Sequence, residues 1–186
     1  LGRQEIKALD RYLRDVRIAK AKKFVRRGDT VLDVGCADGV MFDRWADLID
    51  RGYGVDPILD AAVQHPRWTL YPGYFPDALP PLKCDVITML AVLEHIPSDQ
   101  QAQLPVVCHQ LLNPGGRVVI TAPSPRVDDI LMFLSAVRLI DGMSIDEHYG
   151  FEVGRTVELF AEPQFRLIHR RTFQMRLNNL FVFERN

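Results

Sequence analysis

The sequence predicts an α/β fold of the doubly wound kind, a mostly parallel sheet with helices on both faces. Short β-branched and apolar runs alternate with segments of helical period along most of the chain. A small-residue turn, GCADG, joins the first strand directly to a helix. The last two strand-like runs stand too close together for a crossover, so they must pair antiparallel.

Ile6, Leu9, Leu13 and Val16 recur at helical spacing among charged residues. They predict an amphipathic helix that reaches about Val25 and is ended by Arg26, Arg27, Gly28 and Asp29. TVLDVG then reads as a strand, VMFDRWADLID as a helix, GYGVD as a strand and ILDAAVQH as a short helix. Trp68 to Tyr71 makes a third strand and CDVITML a fourth. In SDQQAQLPVVCHQLL, Ser98 and Gln101 have the spacing of a capping box, and Asn113, Pro114, Gly115 and Gly116 close the helix. Pro105 inside that segment predicts a kink or a later start. GRVVITAP is a fifth strand, VDDILMFLSAVRLIDG a helix closed by Gly142, and GRTVELFAEP a further helix. RLIHRRTF and NNLFVFE complete the chain as a strand pair.

The 186 residues fit one domain, and 47% hydrophobic with 25% charged content suits a globular fold with one sizeable core. The 23 basic and 24 acidic side chains nearly cancel, so no field of one sign exists to hold a phosphate backbone or an anionic membrane, and no strong nucleic-acid signal exists. Cys36, Cys84 and Cys108 form no CxxC pair and meet no histidine at zinc-finger spacing, the pattern of free thiols in a reducing cytosol. No apolar run approaches the about 20 residues that span a bilayer, and the N-terminus lacks a signal-peptide core. A cytoplasmic protein without a transmembrane segment is therefore expected; its start at Leu1 rather than methionine reads as a fragment or a trimmed chain.

In an open parallel sheet, ligands sit beyond the carboxyl ends of the strands where the strand order reverses. LDVGCADG lies at such a place, with Gly35, Ala37 and Gly39 keeping side chains clear of a ligand that approaches the backbone. Taken alone, the turn is equally a tight strand-to-helix connection. Asp56 stands at the next strand end, 17 residues after Gly39, where a carboxylate can accept both hydroxyls of a ribose. The spacing G35-x-A37-x-G39 is one residue shorter than a dinucleotide fingerprint, and Asp33 beside it repels a pyrophosphate. The same carboxylate suits a ligand bearing an ammonium group, as an amino acid attached to a nucleoside does.

VLDVGCADG, GVDP, CDVITMLAVLEHI and LLNPGGRVVITAP, in this order and spacing, resemble the class I S-adenosylmethionine-dependent methyltransferases. The resemblance covers about Val31 to Pro123 and is similar in style to the small-molecule and lipid-directed members. It implies a Rossmann-like, seven-stranded sheet with the last strand antiparallel, and S-adenosyl-L-methionine as methyl donor, leaving S-adenosyl-L-homocysteine. It also implies that Asp33, Gly35, Cys36, Ala37 and Gly39 surround the methionine part, Asp56 holds the ribose, and Pro57 and Ile58 flank the adenine. Leu90 and Ala91 would line the cofactor's other side. After strand three the family often carries an acid for the adenine amino group; GYFPDALP offers Gly73, Tyr74 and Phe75, with Tyr74 where aspartate is common. Adenine contact is then expected from backbone and ring packing. Metal-using relatives read ExxEH where this chain has Ala91, Val92, Leu93, Glu94 and His95, so one hard oxygen ligand is lost and no metal is expected.

The resemblance implies a single methyltransferase domain. Residues 1–29 are its N-terminal helix, 30–123 its cofactor-binding core, 124–155 an acceptor-side insertion and 156–186 a C-terminal helix and strand pair. Methyl transfer is an in-line displacement that needs alignment above all, and a base only for a protonated acceptor. His95, beside Glu94 past strand four, is the candidate base, against the plainer reading of a histidine that caps backbone groups. His148 is either an acceptor-facing group or a loop residue packed on Tyr149. The helix over 128–141, apolar almost all round, is packed deeply, lids the acceptor or forms a homodimer contact. Arg126, Arg138 and Arg155 either pair an anionic acceptor or are solvated, and Arg166, Arg170 and Arg171 read as charge protecting an edge strand.

The expected function is methyl transfer to an oxygen, nitrogen or carbon of a small molecule, lipid or sugar. Two rivals stand beside it: a non-catalytic S-adenosylmethionine-binding regulatory or partner module, and a nicotinamide-dependent oxidoreductase on the same scaffold.

Overall fold

A computed structural model describes residues 3–124, 154–161 and 163–186. The expected helix over 128–141, His148, Arg126 and Arg138 lie outside the described residues. Among the described residues, one eight-stranded sheet has the order β3-β4-β2-β1-β5-β6-β8-β7. Its strands are β1 (Thr30–Val34), β2 (Arg51–Asp56), β3 (Val63–Gln64), β4 (Trp68–Pro72), β5 (Cys84–Leu90), β6 (Leu112–Pro123), β7 (Phe165–Phe173) and β8 (Asn178–Arg185).

β1 pairs in parallel with β2 on one side and β5 on the other, and the order of strands turns back between β1 and β5. β8 lies antiparallel between β6 and β7, as the short link between the last two strands requires. The sheet has eight strands rather than seven because ILDAAVQH is not a helix. Residues 60–67 are exposed, so a helix there would have no apolar face to bury. Val63 and Gln64 instead pair antiparallel with Leu70 and Thr69, Gln64 accepts a hydrogen bond from the Thr69 hydroxyl, and His65 stacks on Trp68.

Both faces are covered, so the central strands are apolar throughout rather than alternating. On one face, helix α1 (Arg3–Ala21) and helix α2 (Val40–Trp45) pack Ile18, Ala21, Met41, Phe42 and Trp45 against Val31, Val86, Val119 and Val182. On the other, helices α3 (Ser98–Gln101), α4 (Leu104–Leu111) and α5 (Arg155–Leu159) cover Leu32, Ile87, Ile120, Phe181 and Phe183. Gly54 of β2 shows how close this packing is, since a Cβ there would lie 2.6 Å from both the Cys36 sulfur and a Leu70 methyl.

The capping box is a second correction. Pro97 stands at the N-cap, and Gln101, buried at 6% exposure, turns inward to donate to the carbonyls of Leu93 (3.0 Å) and Ile96 (2.7 Å). The expected kink is a break: α3 ends at Gln101 and α4 restarts with Pro105 in its first turn, where a missing N–H leaves no intrahelical bond unmade. The expected strand GRVVITAP begins earlier, at Leu112, and the helices at 40–50 and 154–163 are shorter, Val40–Trp45 and Arg155–Leu159.

Candidate functional site

The carboxyl ends of β1, β2, β4 and β5 open onto one cleft of about 760 Å³ at the point where the strand order reverses. Val34 and Gly35 form its floor, Pro57 follows β2, and Gly73 to Asp77 follow β4. Val92 and His95 to Pro97 follow β5, and α3 and α4 close the far wall with Gln100, Gln103, Leu104 and Val107.

The turn after β1 is built for close approach. Gly35 has φ +75°, and a Cβ on it would stand 2.4 Å from Val92 Cγ2, so only glycine fits beneath that side chain. The amides of Gly35 and Cys36 donate to the Val55 carbonyl at 2.9 and 3.4 Å, tying the turn to β2. Ala37 takes φ +45°, a strained value for a residue with a side chain. Its amide donates at 2.8 Å to Asp56 Oδ2, while the Ile58 amide donates at 2.9 Å to Oδ1. Both carboxylate oxygens are thereby aimed, and each keeps a second lone pair for a ligand.

Asp33 lies deeper, at 5% exposure, on the face of the sheet turned to α1. Its Oδ1 accepts a 2.6 Å hydrogen bond from Thr88. Burial pushes its carboxyl up to about 7, against the Thr88 bond, and the nearby Asp56 pushes the same way. Burial likewise raises the Cys36 thiol, whose sulfur packs under the turn. Above the turn, Arg14 of α1 donates to both oxygens of Asp38 at 3.2 and 3.4 Å, and Arg44 of α2 pairs with Asp15 at 2.7 Å.

Past β5, Ala91 takes φ +60° and donates its amide to the Thr121 carbonyl at 2.9 Å. A single 3₁₀ turn, Leu93–His95, follows. Glu94 points inward at 2% exposure, and burial raises its carboxyl to about 7, opposed by its own backbone and by Arg17 of α1. His95 stays exposed on the cleft wall.

Of the residues expected at the site, the cleft lining brings together Gly35, Pro57, Tyr74, Phe75 and His95. Cys36, Ala37, Gly39 and Asp56 form the turn and its carboxylate anchor beside that lining. Ile58 keeps its side chain 76% exposed, while Leu90 packs on the α1 side of the sheet. Sequence reasoning missed Val92, Asp77, Gln101 and the α1 arginines. Asp77 had a visible signal, an acid within the GYFPDALP segment already singled out. Arg14 and Arg17 had one too, three residues apart on one helix face.

A crevice at the topological switch point, with small residues after the first strand and a carboxylate at the end of the second, defines the nucleotide-site class of doubly wound proteins. The methyltransferase-domain family model matches residues 6–170, and the chain belongs to that family. It is similar to a ubiquinone biosynthesis O-methyltransferase of Paraburkholderia phytofirmans, 30% identical over 126 residues that cover 62% of this chain and 53% of that one. It is also similar to a protein of Mycolicibacterium smegmatis named a probable S-adenosylmethionine-dependent methyltransferase, 30% identical over 148 residues, or 72% and 56% of the two chains. The chain spans about half the length of these curated relatives. Among solved structures, a cyclopropane synthase of Mycobacterium tuberculosis shares the fold at a TM-score of 0.66 and 15% identity, over 92% of this chain and 82% of that one.

Proposed function

We propose that this chain binds S-adenosyl-L-methionine and transfers its methyl group to a small molecule, lipid or sugar. The observation that carries the reading is Asp56, a carboxylate aimed by two backbone amides at the lip of a cleft that begins at Gly35. That cofactor supplies an electrophilic methyl on a positively charged sulfur; the remaining work falls to this chain's residues.

The residues present fit such a group. Asp56 keeps lone pairs for the two ribose hydroxyls, and Pro57, Phe75 and Val92 offer apolar walls for a flat base. Asp77 on the same wall supplies the carboxylate that Tyr74 lacks. Asp33, a buried carboxylate raised to about 7, gains from a ligand ammonium that holds it ionised. Membership of the methyltransferase-domain family and the curated relatives' names support the transfer reading. All three cysteines are buried free thiols, which supports a reducing, cytoplasmic setting, and no described helix is long and apolar enough to cross a membrane.

His95 shares its wall with Ile96 and Gln100, on the side proposed for the adenine. Substituting it with glutamine should therefore weaken cofactor affinity more than turnover; a fall in turnover alone would restore the base reading. The central test is calorimetry with S-adenosylhomocysteine and with NAD, on the wild type and on Asp56→Ala. Tight binding of the first only, weakened roughly 10- to 100-fold by the substitution as one charge-assisted contact predicts, supports the assignment. Unchanged affinity in Asp56→Ala overturns it, and binding without methyl transfer to any extract component favours the non-catalytic module.

A further inference from the structure

The cleft accounts for one side of the sheet's carboxyl edge and leaves the other side unexplained. There, four elements each bring a buried polar atom that has no hydrogen-bond partner among the described residues: Arg17 Nε from α1, Glu94 Oε2 after β5, Thr121 Oγ1 from β6 and Asn178 Oδ1 from β8. The side chains belong together. Side chains alternate along a strand, and Val119 and Leu180 pack in the α1-facing core, so Thr121 and Asn178 face α1 as well. Thr121 pairs with Leu180 and Pro123 with Asn178, which makes Thr121 and Asn178 diagonal neighbours, on the order of 7–8 Å apart. The loop bearing Glu94 hangs from the Thr121 carbonyl through the Ala91 amide, and Glu94 interacts electrostatically with Arg17.

Native proteins rarely leave such groups unpaired, and a cluster of four asks for a ligand. The proton pattern says which kind. Gln174 donates to the Leu13 carbonyl of α1, so its Oε1 accepts from Asn178 Nδ2 and leaves Asn178 Oδ1 as a bare acceptor. Glu94 Oε2 and Thr121 Oγ1 are oxygens too, whereas Arg17 Nε donates. An anion would be drawn to Arg17 but left facing the bare Asn178 carbonyl and, when ionised, Glu94, and an alkyl chain would pair with none of the four. Hydroxyl groups both donate and accept.

We infer that Arg17, Glu94, Thr121 and Asn178 form the acceptor subsite, and that they select a small acceptor bearing several hydroxyl groups over a lipid. The inference rests on the transfer reading above and narrows it. Asp33 lies on this same face beside the cleft floor, which joins the subsite to the cofactor side.

The test compares wild type with Thr121→Val, which keeps shape and removes the hydroxyl, and Thr121→Ser, which keeps the hydroxyl. Three quantities are read: S-adenosylhomocysteine affinity, thermal midpoint, and labelled methyl transferred to the small-molecule fraction of a bacterial extract. Thr121→Val should keep affinity within about twofold, keep or raise the midpoint, and lose at least roughly tenfold in labelled product, with Thr121→Ser restoring most of it. Wild-type product should stay out of a hexane phase. Undiminished labelling by Thr121→Val, a lowered midpoint or a hexane-soluble product overturns the subsite. A wild type that binds no S-adenosylhomocysteine, or binds it and labels nothing, overturns the transfer reading beneath it.

Discussion

The two sides of the sheet's carboxyl edge differ in how far the protein satisfies its own polar groups. On the cleft side, Asp56 is held by two amides and the turn is pinned to Val55, so the geometry is complete before any ligand arrives. On the α1 side, Glu94, Thr121 and Asn178 are buried more deeply than Asp56, yet each has an atom without a partner among the described residues. A ligand that never changes can be met by a finished surface, because preorganised contacts need no reordering on binding. The unfinished side carries an energetic cost that the proposed second ligand would remove.

The largest break in that contrast should come from the finished side. Gly35→Val places a side chain where φ is +75° and a Cβ already lies 2.4 Å from Val92. Strain of about 1–3 kcal/mol from backbone alone, with the clash added, should lower S-adenosylhomocysteine affinity by at least about 100-fold in calorimetry.

Asp33 sharpens the contrast through pH. Its pKa is raised, from 3.8 to about 7, so the stability it contributes falls as pH rises from about 4 and levels off above about 7. Asp33→Asn should therefore raise the unfolding free energy at pH 8 by a few kcal/mol, measured by urea titration, while weakening cofactor binding. In the wild type a cationic ligand needs the ionised form, so affinity should tighten between pH 6 and 8 with a proton released on binding. Affinity that is flat with pH would remove Asp33 from the site.

Gln101→Leu removes the donor to two carbonyls of the Leu93–Ile96 turn shared by both sides. A loss of about 1–3 kcal/mol in stability and a several-fold loss in transfer should appear together. Smallest of all, Arg14→Ala breaks an exposed pair with Asp38, and thermal unfolding should register no more than about 1 kcal/mol.

Several features were legible because they follow from local chemistry. The strand-turn-helix at Leu32 to Gly39 and the carboxylate at Asp56 are written in residue type and spacing, and the structure puts them side by side. Gln101 was misread because Ser98 and Gln101 match a capping pattern by spacing, whereas the pull on its amide comes from carbonyls five and eight residues earlier in a turn without helical period. ILDAAVQH was misread because its apolar residues are spaced for a helix, whereas only Leu59 packs against the core and residues 60–65 are exposed.

By itself the sequence determined the alternation of strands and helices, the antiparallel end of the sheet and the small-residue turn after the first strand, since each rests on periodicity or on contacts between near neighbours. Only the tertiary structure decided that Val92 sits on Gly35, that Asp77 joins the cleft, and that Arg17, Glu94, Thr121 and Asn178 each bury an atom without a hydrogen-bond partner among the described residues. Those placements join residues far apart in the chain. They depend on which face of each strand looks toward α1, a choice fixed by burial of the entire core rather than by any local run of residues.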